Sequence, residues 1–226
     1  MDELRARWKL RDVFAVYFLR LACGLLLVRY IFPSTWSTSA WVVELADRLV
    51  VLGLVYIVVR REGSSWQEIG VKSKKWGLQI GWGLLVGILL LGVSIYSEKV
   101  FTTLLFVSPS QHPLVSLVEA AYSWQDLVVP LFLAGFAAPI TEEVLYRMFT
   151  FLPLTKRFGV TLGSLGSAVI FAAMHFSIFW LAEMVVVGVG LALLYYKTQS
   201  LVSAVVAHSF INTSKILMIF LGIPLV

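Results

Sequence analysis

An apolar run over residues 127–140 leads directly into three charged side chains, Glu142, Glu143 and Arg147. Placing a charged side chain near the middle of a bilayer costs about 3 kcal/mol on scales measured from membrane insertion. Such charges are rare inside spanning helices, and they usually mark a functional site with nearby partners. The run therefore predicts a membrane-spanning helix that carries such a site.

The composition is that of a chain that lies almost wholly in the membrane. Of the 226 residues, 59% are hydrophobic and only 14% are charged, whereas soluble domains are about 45–50% apolar and about 25% charged. We therefore expect one integral membrane domain over residues 1–226. The net charge of +5 is assigned to loops that orient the helices and contact the lipid bilayer, so no nucleic-acid partner is expected. The single cysteine, Cys23, excludes an internal disulfide.

Hydropathy and segment length predict a polytopic all-α membrane protein with seven spanning helices. The predicted spans cover residues 13–32, 41–59, 76–96, 127–152, 160–176, 178–196 and 201–221. Residues 98–126 can accommodate an eighth helix, either interfacial or re-entrant. Pro130 and Pro139 are expected to kink the fourth span, because each removes a backbone hydrogen bond.

The basic residues alternate between the connectors of these spans. The N-terminus holds four Lys or Arg residues, the first loop none, the second loop five and the fourth loop two. Positive loops face the cytoplasm, so we expect a cytoplasmic N-terminus and an outside C-terminus. The expected location is the plasma membrane of a prokaryote.

Glu143 and Arg147 are four residues apart, so they share one face of a helix and can pair. Glu142 is rotated from Glu143 by about 100° and points elsewhere. Two neighbouring carboxylates in different environments can differ in protonation, which lets one of them act as a general base. The alternative is a structural ion pair that holds helices together.

Two later spans repeat this spacing. Phe171 and His175 are one such pair, and His208 and Asn212 are the other. A carboxylate, a histidine and a His/Asn pair from three helices can converge on one water molecule and supply a base, a proton shuttle and donors to an oxyanion. The alternatives are an interfacial histidine and hydrogen bonds between helices.

These motifs, Glu142-Glu143-x-x-x-Arg147, Phe171-x-x-x-His175 and His208-x-x-x-Asn212, resemble the CPBP family of intramembrane proteases. That family includes type II CAAX prenyl endopeptidases and bacteriocin-processing Abi proteins. The resemblance covers a motif-bearing core of about residues 127–221. It implies that Glu142 and His175 activate the hydrolytic water and that His208 and Asn212 form the oxyanion hole. Glu143 and Arg147 would be the supporting pair, with Phe171 beside them.

The family has been described both as metalloproteases and as metal-independent glutamate proteases. Glu142, His175 and His208 are residue types that can bind a catalytic zinc. The His-Glu-x-x-His spacing of many zinc proteases is absent, and Asn212 suits a hydrogen-bonding role better than a ligand role. We assign no cofactor, keep zinc as the alternative, and favour metal-independent activation of water.

The resemblance implies an intramembrane endopeptidase that acts on a peptide or protein substrate, which is lipid-modified if it is a CAAX tail. Two other functions use the same residues. A proton-coupled transporter could use the Glu/His cluster as a relay, although paired broken halves are not evident. A non-catalytic immunity or scaffold protein could keep the fold without the reaction.

The predicted spans place Glu142 and His175 at different depths in the membrane. If the fifth helix begins at residue 160, Glu142 and His175 lie about two turns apart when counted from the cytoplasmic side. A start near Ser164 would bring them level, so residues 160–163 are expected to form a loop.

The remaining charges are interpreted as structural. Glu44, Asp47 and Arg48 in the second span are expected to form an ion-pair set, with Glu44 and Arg48 at pairing distance on one face. Glu183 is interpreted as interfacial, with the alternative that it reaches the site from the sixth span.

Overall fold

A computed structural model describes residues 4–31, 40–71, 75–105 and 118–223. In these ranges every regular element is a helix, as predicted. The helices are α1 (Leu10–Leu26, continued by a π-helical turn, Leu27–Ile31), α2 (Ala40–Arg61), α3 (Trp76–Leu105), α4 (Val128–Pro130, Leu131–Ala137, Ala138–Glu142 and Glu143–Phe151 in succession), α5 (Leu152–Ala173), α6 (Leu181–Thr198) and α7 (Leu201–Phe220). Of the range 98–126, where the sequence can accommodate an eighth helix, residues 98–105 belong to α3 and residues 106–117 lie outside the described residues.

Five helical segments are long and apolar enough to cross a membrane: Leu10–Tyr30, Trp76–Phe101, Val128–Ala173, Leu181–Thr198 and Leu201–Phe220. The predicted count of seven is therefore not confirmed. Two features account for the difference. The second predicted span is too rich in charge, because α2 carries Glu44, Asp47 and Arg48 and ends in two arginines. The fourth and fifth predicted spans form one continuous helical run.

Gly159 breaks this run into two legs. Its backbone has φ 79° and ψ 170°, a conformation that glycine adopts without a steric penalty. After Gly159 the second leg runs antiparallel to the first and packs against it. Ser167 Oγ donates to the Tyr146 carbonyl at 2.7 Å, and a Cβ added to Gly163 would lie 2.8 Å from the backbone nitrogen of Thr155. The two legs therefore form an antiparallel helical hairpin.

The position of this break resolves the expected difference in depth. Residues 160–163 are helical, so the predicted loop there is wrong. Glu142 precedes Gly159 by 17 residues and His175 follows it by 16. Because both legs rise by about 1.5 Å per residue, the two side chains reach the same level without a late start of α5.

α4 departs from regular α-helical geometry beside both of its prolines. The segment Leu131–Ala137 is π-helical and lies between Pro130 and Pro139, and the segment Glu143–Phe151 is π-helical again. A proline cannot donate to the preceding turn, and π-helical turns often occur at functional sites. Where the sequence predicts kinks, the structure therefore shows a helix whose carbonyls are shifted in register.

The N-terminal segment and two of the connectors are hydrogen-bonded together at one end of the bundle. Arg5 N donates to the Glu68 carbonyl at 2.9 Å, and Leu201 N donates to the Gly70 carbonyl at 2.8 Å. Trp8 packs on Phe149 at that end. The described basic residues of this end form what we call the basic face: Arg5, Arg7, Lys9, Arg11, Arg60, Arg61, Lys75, Lys156, Arg157 and Lys197.

Ion pairs connect α1 to α2 and stabilise α2 itself. Arg20 Nη2 lies 2.7 Å from Asp47 Oδ2, and Arg48 Nη1 lies 3.1 Å from Glu44 Oε2. The pairing predicted for Glu44 and Arg48 is therefore confirmed. Asp47 binds Arg20 of the first helix instead, which explains how a deep arginine is tolerated there.

Candidate active site

A cavity of about 840 Å³ lies within the helical bundle. All seven helices contribute residues to its walls, together with the connectors before α4 and after α5 and the residues after α7. The polar side chains that face it include Glu142, His175, Glu183, His208, Asn212 and Lys215. The four residues predicted to be catalytic thus border one space, although they come from two helices and a connector.

Glu143 and Arg147 form a fully buried ion pair behind this cavity. Arg147 Nε lies 3.1 Å from Glu143 Oε2, and neither side chain is exposed. The predicted pairing of these two residues is confirmed. The Arg147 guanidinium also lies over the Phe171 ring, 4.6 Å from its centroid, where the electron-rich face attracts a cation.

His208 lies between the two glutamates. Its Nδ1 is 2.9 Å from Glu143 Oε1, and its Nε2 is 3.7 Å from Glu142 Oε2. Because Glu143 is paired with Arg147, its carboxylate is the acceptor and Nδ1 of His208 is the donor. The Nε2 contact is longer than a hydrogen bond, so this atom remains available to a group in the cavity.

Glu142 and Glu143 have different surroundings. The Glu143 side chain is completely buried, whereas 23% of the Glu142 side chain is exposed. Glu143 contacts Arg147 and His208, while Glu142 borders the cavity. Only Glu142 is therefore placed to meet a water molecule or a substrate.

Phe171 lies at the centre of the aromatic and cationic contacts around the site. Its ring meets Tyr146 at 5.1 Å, His175 at 4.8 Å and His208 at 6.0 Å between centroids, in edge-on geometry. Its backbone carbonyl is 2.8 Å from His175 Nδ1. Because a carbonyl can only accept, Nδ1 carries the proton, and the Nε2 of a neutral His175 has a free lone pair.

Asn212 is held by a backbone carbonyl that Pro139 leaves free. In the π-helical register of this turn, Ala138 N donates to Leu133 O. The next donor in that register would be the nitrogen of Pro139, which has no hydrogen. The Ala134 carbonyl accepts instead from Asn212 Nδ2, at 2.9 Å. One of the two amide hydrogens of Asn212 is thus used to fix the side chain, and the other remains.

The residues proposed for zinc do not form a ligand set. Both ring nitrogens of His208 face carboxylates of α4, and Nδ1 of His175 bonds to a backbone carbonyl. In the part of the chain that the structure describes, no three His, Cys, Asp or Glu side chains are grouped to hold a metal ion. The arrangement of these side chains favours a hydrogen-bonded network.

A second charged cluster in the cavity wall was not expected. Lys215 Nζ lies 2.6 Å from Glu183 Oε1 and 3.3 Å from Glu98 Oε2, and Ser94 Oγ donates to the same Glu183 oxygen. Glu183 is therefore buried, paired and in the cavity wall, which agrees with the alternative that it reaches the site from the sixth span and not with its interpretation as an interfacial residue. Lys215 lies seven residues after His208, two helical turns along the same face, which is the one sequence signal that could have found it.

One comparison with known proteins, that with family models, finds a match over the part of the chain that carries these motifs. Residues 124–214 match the family model described as type II CAAX prenyl endopeptidase Rce1-like. The match includes every motif residue from Glu142 to Asn212. Neither the comparison with curated proteins nor the comparison with solved structures finds a match.

Proposed function

We propose that this chain is a CPBP-family intramembrane protease of the CAAX type and that it hydrolyses peptide bonds with a water molecule activated by Glu142. The match of residues 124–214 to the type II CAAX prenyl endopeptidase Rce1-like family model supports this proposal. The observation that carries this proposal is the division of labour between the two glutamates. Glu143 is buried against Arg147 and His208, whereas Glu142 is partly exposed to the cavity. A general base needs that access to the reacting proton.

The charges around the site alternate in sign. Arg147, Glu143, His208 and Glu142 follow one another in space, with the distances given above. With His208 protonated, the two cations balance the two carboxylates. A low-dielectric site accepts charges more readily when they are paired in this way. A protonated His208 also has an Nε2–H to donate toward the cavity.

The reaction that this arrangement supports begins with proton transfer. Glu142 accepts a proton from water while the water oxygen attacks the carbonyl carbon of the peptide bond. The C–N bond of the resulting tetrahedral intermediate then breaks, and Glu142 returns the proton to the departing nitrogen. The products are a carboxylic acid and an amine, and Glu142 is again ionised.

His175 is proposed to orient the water. Its Nδ1–H is occupied by the Phe171 carbonyl, which leaves the Nε2 lone pair to accept a hydrogen bond from the same water molecule. The ring is also fixed by edge-on packing against Phe171. A fixed acceptor reduces the reorganisation that the attack requires.

His208 and Asn212 are proposed to stabilise the oxyanion. The Nε2–H of His208 and the second amide hydrogen of Asn212 are the donors that remain after their bonds to Glu143 and Ala134. Donors that are already fixed in a water-poor site are worth about 10²–10³ in kcat each.

The test is a cleavage assay on a peptide library, with the purified wild-type protein and Glu142→Gln side by side. We expect cleavage by the wild type and a rate lowered by about 10²–10⁴ in the variant, the usual contribution of a general base. Equal rates for the two proteins would remove Glu142 from the reaction. A proton flux without any cleavage would support a transporter instead.

The type of protease is part of the same proposal. We propose a glutamate-type enzyme, because the imidazoles are engaged by hydrogen bonds rather than grouped as ligands. Dialysis against a chelator, followed by metal analysis, should leave the cleavage rate unchanged. Loss of activity that returns with zinc would identify a metalloprotease.

A further inference from the structure

Among the described residues, the cavity wall extends to the end of the bundle opposite the basic face. Its outer wall includes Val118 from the connector before α4, Phe179 and Trp180 from the connector after α5, and Gly222 and Ile223 after α7. Within the described ranges, no residue that borders the cavity belongs to a connector of the basic face. A molecule from the aqueous phase therefore approaches Glu142 from the end away from that face.

The two ends differ sharply in charge. The basic face holds ten Lys or Arg residues in the described part of the chain. The described helix ends and connectors of the other end hold two, Arg29 in the π-helical turn after α1 and Lys99 near the end of α3. Its connectors, residues 118–127, 174–180 and 221–223, include the acidic residues Glu119 and Asp126. Positive connectors remain in the cytoplasm during insertion, so the basic face is the cytoplasmic one.

Exposed apolar side chains lie in the connectors of the end opposite the basic face, close to cavity-wall residues in the sequence. Tyr122 is 97% exposed, Trp124 61%, Phe176 84% and Ile178 69%. Tyrosine and tryptophan are enriched where a membrane meets water, which places these connectors at the interface. Phe176 adopts φ 52°, a left-handed conformation that is unfavourable for a residue with a side chain. This backbone turn directly follows His175 and leaves the Phe176 ring exposed.

We infer that the site receives its substrate from the extracytoplasmic side, at the membrane interface. This inference rests on the proposed function for the nature of the substrate. The substrate class is then a peptide segment of an exported protein, or the extracytoplasmic end of a membrane protein. A peptide tail that stays in the cytoplasm would have to pass through the basic face to reach Glu142. The basic residues of the cavity wall, Arg20, Arg48 and Lys215, are each paired with a carboxylate. The described connectors of this end hold acidic residues but no Lys or Arg, so this end suits apolar or cationic segments better than acidic ones.

The test uses cysteine accessibility, because the chain has one cysteine, Cys23. In the full-length Cys23→Ala background, single cysteines are introduced at Ile178 on the end opposite the basic face, at Met174 in the cavity wall and at Gln67 on the basic end. Cells that express each variant are treated with a small membrane-impermeant thiol reagent, intact or permeabilised. Cys23→Ala alone is the control for background labelling.

We expect Ile178→Cys and Met174→Cys to react in intact cells, and Gln67→Cys to react only after permeabilisation. Labelling of Gln67→Cys alone in intact cells would overturn the orientation. Labelling of Ile178→Cys without Met174→Cys would overturn the route into the cavity. The same series with Glu142→Gln added should label identically, because labelling does not depend on cleavage, so failure of the proposed function would show in the cleavage assay alone.

Discussion

The Nδ1 atom of His208 on α7 lies 2.9 Å from Oε1 of Glu143 on α4, across 65 residues of chain. The same carboxylate is 3.1 Å from Arg147. Glu143 therefore neutralises the buried Arg147 and fixes the orientation of the His208 ring. We propose a structural role for Glu143, which through His208 also affects the groups that face the cavity.

Glu143→Gln should lower stability and activity together. The change leaves the fully buried Arg147 without its carboxylate, and breaking a buried ion pair costs about 3–5 kcal/mol. The loss should appear as a lower midpoint of thermal unfolding in detergent. Arg7→Met is the matched control, because it breaks an exposed pair with Glu68 and should change the midpoint little. Equal midpoints for both variants would show that Glu143 is not the support described here.

Asn212→Ala should lower kcat by about 10²–10³, with a smaller effect on KM, because the lost donor acts on the oxyanion rather than on the bound peptide. The variant also leaves the Ala134 carbonyl without its donor. Steady-state kinetics on a cleaved peptide is the measurement. Ser209→Ala, on the same helix but away from the cavity wall, is the control, and a similar fall in kcat there would point to a general effect on α7.

The pairs within one helix could be predicted because the spacing of four residues determines which side chains meet. Glu143 with Arg147 and Glu44 with Arg48 follow from that rule alone. The bond between His208 and Glu143 could not, since it depends on how α4 and α7 pack. The cluster of Lys215, Glu98 and Glu183 could not be predicted either, because its members come from three different helices.

The sequence places the turn between the fourth and fifth predicted spans too early in the chain, because the position of this turn depends on Gly159. Charge and hydropathy place a turn after residue 152, yet α-helical geometry continues to Gly159, where positive φ becomes necessary. Helix boundaries in an apolar chain depend on such packing, because hydropathy alone changes little between a span and its helical extension. The equal depth of Glu142 and His175 follows from Gly159.

Gly83→Ala should destabilise the protein by separating α3 from α7. An added Cβ would lie 2.7 Å from Cβ of Val206 and 2.8 Å from the Ser203 carbonyl. Overpacking of this kind costs about 1–3 kcal/mol, and the displaced helix carries His208. Gly77→Ala is the matched control, since nothing lies within 4 Å of its added Cβ. Thermal unfolding should rank Gly83→Ala below both the wild type and Gly77→Ala.

The carboxyl group of Glu68 should titrate far below the usual range. The Ser65 backbone N–H, then the Arg7 guanidinium, hold the pKa of Glu68 at about 2, against an ordinary value of 4.5. The ionised form is favoured in the folded chain. The stabilisation that ionised Glu68 contributes is therefore fully present above pH 4.5. It is lost as the carboxylate becomes protonated when the pH falls toward 2. NMR titration of the side-chain carbon would measure the value, and Arg7→Met should raise the pKa.

Lys215→Met should destabilise the protein more than it affects the peptide bond chemistry. Lys215 is the cation that balances Glu98 and Glu183, and both carboxylates are buried. Without it, two carboxylates face each other in a low-dielectric wall, and losing one partner of a buried pair costs about 3–5 kcal/mol. The partial exposure of Lys215 to the cavity reduces that figure.

The double variant Lys215→Met with Glu183→Gln separates charge from packing. It removes one cation and one anion, so that Glu98 is the carboxylate left in the cluster. The double variant should therefore be more stable than Lys215→Met alone. Additive losses in thermal unfolding would indicate that the residues act independently. Recovery would mean that Lys215 is retained in the cavity wall chiefly to neutralise these carboxylates, which join α3 and α6 to the helix that carries His208 and Asn212.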